Sequence, residues 1–158
     1  MRRAIVLSGL AMLLALPAAY SAEVGGVKLD DKAVVGGQEL VLNGAGIRTK
    51  LIFKVYVGAL YLPQKQTSAD AIIADDHEHR VALHMLREMG SEKLFNAFND
   101  AITANHTPAE LGALDSQLKQ MAQIFDAVKE VKPGDIITLD YQPSSGTQIN
   151  VNGTARGT

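Results

Sequence analysis

The sequence predicts an α+β domain with a mainly antiparallel sheet. Short stretches that alternate between apolar and polar residues, the pattern of half-buried strands, occur in the first and last parts of the chain. Between them lie two longer stretches in which apolar residues recur every three or four positions, as on one face of a helix. Strands, then helices, then strands are typical of an antiparallel sheet with a layer of helices against it.

The N-terminus has the composition of a secretory signal peptide. Two arginines follow Met1, residues 4–16 are almost all apolar, and small residues come next. The alternative, a membrane anchor, is disfavoured because the apolar stretch is shorter than the roughly 20 residues that span a bilayer. We expect residues 1–21 to be removed after Ser21, with cleavage after Ala22 as the alternative. The mature protein would then be secreted into the periplasm without a stable membrane span.

The remaining composition narrows the classes of function. Residues 22–158 are enough for one domain with its own core. The formal net charge of −2 gives no electrostatic reason to expect nucleic acid as a partner. The chain has no cysteine, so its stability must come from its core, and thiolate chemistry and zinc-thiolate sites are excluded. We expect no cofactor.

The first strands follow from local patterns. Residues 27–29 predict a short strand, and residues 39–42 predict another, which the glycine-rich sequence 43–46 is expected to end. Residues 51–62 predict the strongest strand, because every second residue from Leu51 onwards is apolar. The opposite side of this strand mixes apolar and polar residues, so it is either solvated or lines a pocket.

Two amphipathic helices are predicted in the middle of the chain. Residues 91–104 place their apolar side chains on one stripe. A second helix starts at Thr107, where Glu110 completes a capping box and Pro108 fits the first helical position. Its apolar residues recur at intervals of three and four, so we expect one unbroken helix that ends near residue 128.

A short helix, one further strand and a hairpin complete the predicted elements. Residues 67–74 predict the helix, with Thr67 or Ser68 as its cap, and residues 80–87 predict the strand. The hairpin joins residues 136–141 to residues 147–151 through a turn rich in proline, serine and glycine.

Asn152 and Gly153 form a second hairpin signal close to the end of the chain. Few residues follow them, so we expect a turn that has no return strand. The sequence is therefore interpreted as a C-terminally truncated form of a longer domain.

Four short motifs resemble the chalcone isomerase family. In order along the chain they are Asn-Gly-Ala-Gly-Ile-Arg at 43–48, Lys-Val-Tyr-Val-Gly-Ala-Leu-Tyr-Leu at 54–62, Met-Leu-Arg-Glu at 85–88 and Ser-Glu-Lys-Leu at 91–94. The long helix and the C-terminal hairpin fit the same pattern. The resemblance extends from about Val24 to Thr158 and is greatest to the bacterial exported branch, the chalcone isomerase-like proteins.

The resemblance implies an open-faced β-sandwich of the chalcone isomerase type. In this fold a large antiparallel sheet carries a helical layer, and a cleft lies between the two. Plant members close a flavanone ring in the cleft. Family members continue with a strand and a helix beyond the position of Thr158, which agrees with a truncated chain.

Of the four catalytic positions of the plant enzymes, one is matched. Arg48 corresponds to their arginine, whereas Tyr56, Gly90 and Ala97 stand where they carry threonine, tyrosine and asparagine. The arginine also occurs in non-catalytic relatives that resemble fatty-acid-binding proteins, where it pairs with a ligand carboxylate. The resemblance therefore favours a non-catalytic binder of a small apolar acid such as a fatty acid. The alternatives are an isomerase (an intramolecular lyase) that acts on a chalcone-like phenol, and a structural protein of the envelope.

We predict three ligand-binding residues. Arg48 follows a predicted glycine turn, and its guanidinium offers a rigid pair of donors to a carboxylate or an enolate oxygen; the alternative is an exposed arginine at a strand end. Tyr56 either donates a hydrogen bond into the same pocket or packs with its hydroxyl at the rim. Arg87 ends the apolar face of its strand and either anchors a carboxylate or pairs with Glu88 or Asp100.

One cluster contains residue types that bind metals, the sequence Asp-Asp-His-Glu-His at 75–79. His77 and His79 are two residues apart, but no third ligand is fixed by the spacing, and the helical spacing of a zinc protease is missing. We interpret the cluster as a solvated loop and predict no metal site.

Overall fold

The computed structural model describes residues 22–158, so the predicted signal peptide lies outside the described residues. Within this part the chain forms eleven strands and four helices. The strands are β1 (Ala22–Val24), β2 (Val27–Leu29), β3 (Lys32–Val35), β4 (Gln38–Lys50), β5 (Phe53–Leu62), β6 (His79–Met85), β7 (Met89–Gly90), β8 (Glu130–Val131), β9 (Ile136–Gln142), β10 (Gly146–Val151) and β11 (Thr154–Gly157). The helices are α1 (Ala69–Ala74), α2 (Ser91–Asn105), α3 (Pro108–Ala113) and α4 (Asp115–Val128). None of these helices has the length and apolar character needed to cross a membrane.

Seven of the strands form one antiparallel sheet in the order β11-β10-β9-β6-β5-β4-β3. Most neighbours in the sheet are also neighbours along the chain, as hairpin connections require. The exception is the pair β6–β9, between which the chain inserts α2, α3 and α4. The other strands form two small pairs, β1–β2 and β7–β8. The predicted α+β class, an antiparallel sheet with a helical layer, is confirmed.

Each face of the sheet has its own apolar core, because successive side chains of a strand point to opposite faces. We call the side covered by the β1–β2 hairpin the hairpin face; its buried residues are Leu29, Val35, Leu40, Val57, Ala59, Tyr61 and Ala82. The side beneath α2 and α4 is the helix face, with the buried residues Met85, Leu94, Val131, Ile137, Ile149 and Val151.

The sheet curls so that its β3 edge approaches β6 and β9 over the hairpin face. A Cβ added to Gly36, in the turn after β3, would come within 2.3 Å of the side-chain oxygen of Gln142 in β9. This glycine also has a φ of +57°, a conformation that side chains disfavour. Gly36 therefore serves both the turn and the close approach of the two strands.

Strand β4 is much longer than predicted. The prediction that residues 43–46 end it is wrong, because the strand continues over Gln38–Lys50. The register shifts between Leu42 and Gly44, so Asn43 is accommodated as a bulge and the pairing with β5 resumes after it. The glycines that predict a turn instead continue an extended strand.

Strand β5 begins at Phe53 instead of Leu51, because Leu51 and Ile52 form the turn after β4. The predicted alternation is otherwise confirmed. The residues of its buried side are Val55, Val57, Ala59 and Tyr61.

The predicted helices are confirmed except for one break. Helix α2 agrees with the prediction to within one residue, and Ser68 caps α1 by accepting the Ala71 N–H. The capping box of Thr107 and Glu110 is present. The single helix predicted from Thr107 is wrong, because Leu114 has φ −92° and ψ 0° and separates α3 from α4. Its N–H bonds to the carbonyls of both Glu110 and Leu111, the tightening that ends a helical segment.

The C-terminal hairpin β9–β10 is confirmed, but a further strand follows it. The prediction that no strand returns after Asn152 and Gly153 is wrong, because β11 pairs with β10. Asn152 (φ 50°) and Gly153 (φ 75°) adopt the left-handed conformation of a two-residue hairpin turn. Gly157 packs so closely on Ile124 of α4 that a Cβ would lie within 2.6 Å. The absence of a return strand was the argument for a truncated domain, and the presence of β11 removes that argument.

Candidate ligand-binding site

Arg48 and Tyr56 lie opposite each other on neighbouring strands. They are register partners in the β4–β5 pair, and Arg48 Nη1 donates a hydrogen bond to the Tyr56 hydroxyl over 3.3 Å. The guanidinium carbon is 5.8 Å from the centre of the tyrosine ring, within the range of a cation–π contact. The ring packs against the core of the helix face, which fixes the side of the sheet on which both residues lie. The structure thus brings two of the three predicted site residues together.

The Arg48 guanidinium has donors to spare. It has five N–H groups, and its side-chain hydrogen bond is to the neutral hydroxyl of Tyr56. The ion pairs formed within residues 22–158 do not include Arg48. The residue lies inside β4 and not after a glycine turn as predicted, so pairing with β5 holds its backbone while its charge stays exposed.

Glycines form the floor next to this pair. Gly46 and Gly58 are direct register partners, and Gly44 is opposite Leu60. A Cβ added to Gly44 or Gly46 would meet nothing within 4 Å, and one added to Gly58 would meet the ring of Tyr56 at 3.5 Å. We call this strip, formed by Gly44, Gly46 and Gly58, the glycine trough. It is a strip of backbone that no side chain of its own covers, and Arg48 and Tyr56 stand at one end.

Beyond the trough the same side of β5 becomes apolar. Alternation places Leu60 and Leu62 on the side of the strand that carries Tyr56 and Gly58. From Tyr56 to Leu62 the strand advances about 20 Å, at about 3.3 Å per residue. Leu62 borders a cavity of about 370 Å³ beside α1, whose lining also includes Pro63, Ala71 and Ile72. The site therefore has a cation and a hydroxyl at one end of an extended apolar path.

Arg87 has a different environment from the one predicted. It follows the end of β6, and its guanidinium carbon lies 4.5 Å from the ring centre of Phe53. Within the described part of the chain it forms an ion pair with neither Glu88 nor Asp100. The structure therefore gives Arg87 a cation–π contact at the start of β5, which the sequence did not predict.

A second arginine, Arg80, lies on the hairpin face and was not predicted from the sequence as a site residue. Arg80 in β6 is the register partner of Asp140 in β9, and the two side chains form paired contacts of 2.5 and 2.6 Å. Asn150 donates to both Asp140 and Thr138, at 3.2 and 3.0 Å. The contact with Asp140 raises the pKa of Arg80. A signal was available, since a charged residue occurs in each of two largely apolar strands, but the pairing itself needs the sheet topology.

The histidine cluster divides into separate contacts. The side chain of His77 contacts the Asp75 carboxylate, while His79 stacks on Tyr141 with 4.8 Å between ring centres. Within residues 22–158 no group of three or more ligating side chains is arranged to hold a metal ion.

Comparison with known proteins gives a fold and a family. In a search of solved structures, the crystal structure of a fatty-acid binding protein from Arabidopsis thaliana is similar, with a TM-score of 0.65 and 16% sequence identity. The match covers 84% of this chain and 77% of that one, and it confirms the predicted fold of the chalcone isomerase type. No curated relative matches the chain. The family model described as chalcone isomerase-like matches residues 21–158, and the chain therefore belongs to the chalcone isomerase-like family.

Proposed function

We propose that this protein binds a small, largely apolar acid, such as a fatty acid, and does not transform it. The observation that carries the proposal is the unpaired guanidinium of Arg48 beside the Tyr56 hydroxyl, at the end of the glycine trough. In this proposal both groups donate hydrogen bonds to the ligand carboxylate. The acyl chain then lies along the trough, over Leu60 and towards Leu62.

Two features support a binder over an enzyme. This chain resembles the plant enzymes, which carry polar catalytic side chains at two positions that correspond to Gly90 and Ala97. Glycine and alanine have no side-chain donor, acid or base. The similar Arabidopsis structure is described as a fatty-acid binding protein, although at this identity the likeness itself shows only the fold. A second candidate, a chalcone-type isomerase, keeps one argument: the same Arg48–Tyr56 pair would stabilise an oxyanion as well as a carboxylate.

We also propose that the protein works in the periplasm after removal of residues 1–21. The support is the N-terminal composition, which combines two arginines, an apolar stretch and a small-residue exit. N-terminal sequencing of the protein from the periplasmic fraction should give Ala22 or Glu23 as the first residue. Recovery of a chain that still begins with Met1 from the membrane fraction would refute this.

The binding proposal is tested by titrating a long-chain fatty acid into wild-type protein and the variants Arg48→Ala, Arg48→Lys and Arg156→Ala. A charge-assisted hydrogen bond contributes about 1.5–3 kcal/mol, so Arg48→Ala should weaken binding by roughly tenfold to hundredfold. Lysine should restore only part of the affinity, because it lacks the two parallel donors of a guanidinium. Arg156, another exposed arginine on β11, is the matched control and should bind like wild type.

Three other outcomes would lead to different conclusions about the function. Equal affinity of Arg48→Ala and wild type would remove Arg48 as the carboxylate anchor. Turnover of a chalcone well above the uncatalysed rate, lost in Arg48→Ala, would establish the isomerase. If native mass spectrometry of the periplasmic protein finds no lipid, and neither titration nor turnover gives a signal, the structural role in the envelope is favoured.

A further inference from the structure

The tip of the β4–β5 hairpin is the most exposed apolar feature of the described chain. Leu51 and Ile52 are 88% and 85% exposed, and the next residue, Phe53, is 50% exposed. Three large apolar residues in succession at a hairpin tip contribute nothing to either core. Consecutive exposed apolar side chains of this kind mark an interaction site.

The backbone of the tip adds a second observation. Leu51 has a φ of +56°, a left-handed conformation that costs a residue with a side chain roughly 1–2 kcal/mol. Glycine or asparagine would be favoured at this position of a two-residue turn. The sequence thus keeps a large apolar residue where both solvation and backbone conformation oppose it, which points to a use outside the fold.

The charged residues on the strand segments that lead into and out of the tip are all cations. Residues 40–69 contain no aspartate or glutamate but include Arg48, Lys50, Lys54 and Lys65, although the whole chain has a formal net charge of −2. Among the ion pairs of the described residues, none involves Arg48, Lys50 or Lys54. The hairpin therefore presents apolar side chains surrounded by cations without acidic partners.

We propose that this tip docks on an anionic phospholipid bilayer, with Leu51 and Ile52 inserted among the acyl chains and the cations of the hairpin at the headgroups. Apolar residues flanked by lysine and arginine are the composition of interfacial membrane anchors, and each cation near an anionic surface strengthens binding. A protein partner fits less well, because a stable protein interface buries about 800 Å² on each side and this tip is much smaller.

The proposal does not rest on the ligand-binding function, since it concerns the turn and not the trough. The two features are nevertheless close in the chain, because Arg48 precedes Lys50 in the same strand. Docking through the tip would place the polar end of the trough next to the membrane surface, where an amphipathic acid enters or leaves. Membrane docking is measured on vesicles that contain no fatty acid, so docking and ligand binding can fail separately.

Insertion of the tip can be measured with a single tryptophan, since the sequence has none. Ile52→Trp places the reporter in the tip, and Ile73→Trp places a control on α1 at a residue that is 82% exposed. With vesicles of phosphatidylglycerol and phosphatidylcholine, we expect a blue shift of Ile52→Trp emission and quenching by brominated acyl chains. The emission of Ile73→Trp should stay unchanged. Equal responses of both reporters, or no response of Ile52→Trp, would overturn the proposal.

Two sets of variants separate the apolar and electrostatic contributions. Leu51→Asn combined with Ile52→Ser removes the apolar side chains and keeps a residue that tolerates the turn, so vesicle binding should fall at least tenfold without a lower melting temperature. Lys50→Glu combined with Lys54→Glu should weaken binding by about thirtyfold or more, at roughly fivefold for each cation lost. The control, Lys28→Glu with Lys93→Glu, makes the same charge change at exposed residues outside the β4–β5 hairpin. Its effect on vesicle binding should be much smaller. Equal losses in the two charge variants, or equal binding of wild type to pure phosphatidylcholine, would show that the tip is not an anionic-membrane anchor.

Discussion

Arg48 and Arg80 lie on strands that flank β5 on its two sides, and they point to opposite faces of the sheet. Arg80 faces Asp140 through two charge-assisted contacts, and the side chains are 24% and 8% exposed. Arg48 is exposed and faces the neutral hydroxyl of Tyr56 at 3.3 Å. The same side chain is therefore committed to the fold on one face and left available on the other. The difference in availability comes from the buried carboxylate of Asp140, which pairs with Arg80, because both arginines lie on strands next to β5.

The residues around the two arginines show the same contrast, bonded neighbours around Arg80 and open space next to Arg48. On the hairpin face, Asn150 donates hydrogen bonds to Thr138 and Asp140 beside a cavity of about 360 Å³. On the helix face, glycines leave the backbone uncovered next to Arg48. The polar groups of the hairpin face are thus bonded within the protein, whereas the guanidinium of Arg48 stays available for the ligand proposed above.

The largest expected effect is on stability, in variants that break the Arg80–Asp140 pair. Arg80→Leu or Asp140→Leu leaves one charge without its partner in a half-buried site. The free energy of unfolding should fall by about 3 kcal/mol. This is the lower end of the range for buried pairs, because Arg80 is partly exposed. Urea denaturation should show this loss as a lower midpoint with an unchanged slope. The corresponding Arg48→Leu should change stability by less than about 0.5 kcal/mol.

A double variant sharpens this comparison. Arg80→Met with Asp140→Leu removes both charges, so it should be more stable than either single variant. If both single substitutions cost as little as Arg48→Leu, the two arginines would be equivalent and the contrast between the faces would be wrong.

Local patterns were sufficient for most of the fold. The alternation of β5, the capping box at Thr107 and the β9–β10 hairpin depend on neighbouring residues, and each was predicted correctly. Apart from the helix break at Leu114, the main errors involve glycine and the end of the chain. Gly44 and Gly46 favour a turn by local preference, and only the pairing with β5 places them in an extended strand. Likewise, the five residues after Gly153 look too few for a strand until β10 provides a partner.

The site was less accessible to prediction. Arg48 and Tyr56 were proposed from motif resemblance, and their contact follows from the β4–β5 register, which the sequence alone did not reveal. The Arg80–Asp140 pair joins residues 60 positions apart, across a helical insertion between β6 and β9. No local pattern encodes such a partner. The glycine trough was not predicted for the same reason. Its three glycines lie on two different strands, and only the pairing of β4 with β5 brings them together.

The next expected effect is on ligand binding and comes from filling the trough. Gly46→Val adds a branched side chain where a Cβ meets nothing within 4 Å. Stability should stay the same or rise by about 0.5–1 kcal/mol, because glycine weakens a strand interior. Fatty-acid affinity should fall more than tenfold, since the new side chain occupies the proposed path of the acyl chain. The measurements are a ligand titration and a urea denaturation of the same preparation.

Ala45→Val is the matched control for Gly46→Val. Ala45 is the neighbouring residue in β4, also exposed, and it points to the opposite face of the sheet. The control should bind fatty acid like wild type. Equal losses in the two variants would mean that the ligand does not lie along the glycine trough, whatever the result for Arg48.

The smallest expected effect is on the pH dependence of stability. It compares a histidine on the hairpin face, His84, with a histidine in an exposed loop, His77. Burial on the hairpin face lowers the pKa of His84, with nearby Asp30 opposing the shift. Contact with Asp75 raises the pKa of the exposed His77. A lowered folded-state pKa means that stability is complete above the unfolded-state pKa of about 6.5 and is lost as the pH falls through the folded-state value. A raised pKa has the opposite sign, with stability present below about 6.5 and lost as the pH rises through the folded-state value.

The two histidines should therefore change the pH profile in opposite directions. Below about pH 6.5, the wild-type urea midpoint should fall with falling pH more steeply than that of His84→Gln, in which the buried titrating group is absent. Above about pH 6.5, His77→Asn should lose the small decrease in stability that wild type shows as the pH rises, and solvent exposure keeps this second effect the weaker of the two. Each variant is the control for the other, because each removes one imidazole. If His84→Gln keeps the wild-type slope on the acid side, then His84 is solvated enough to protonate freely, and the hairpin face is less closed around β6 than its buried core indicates.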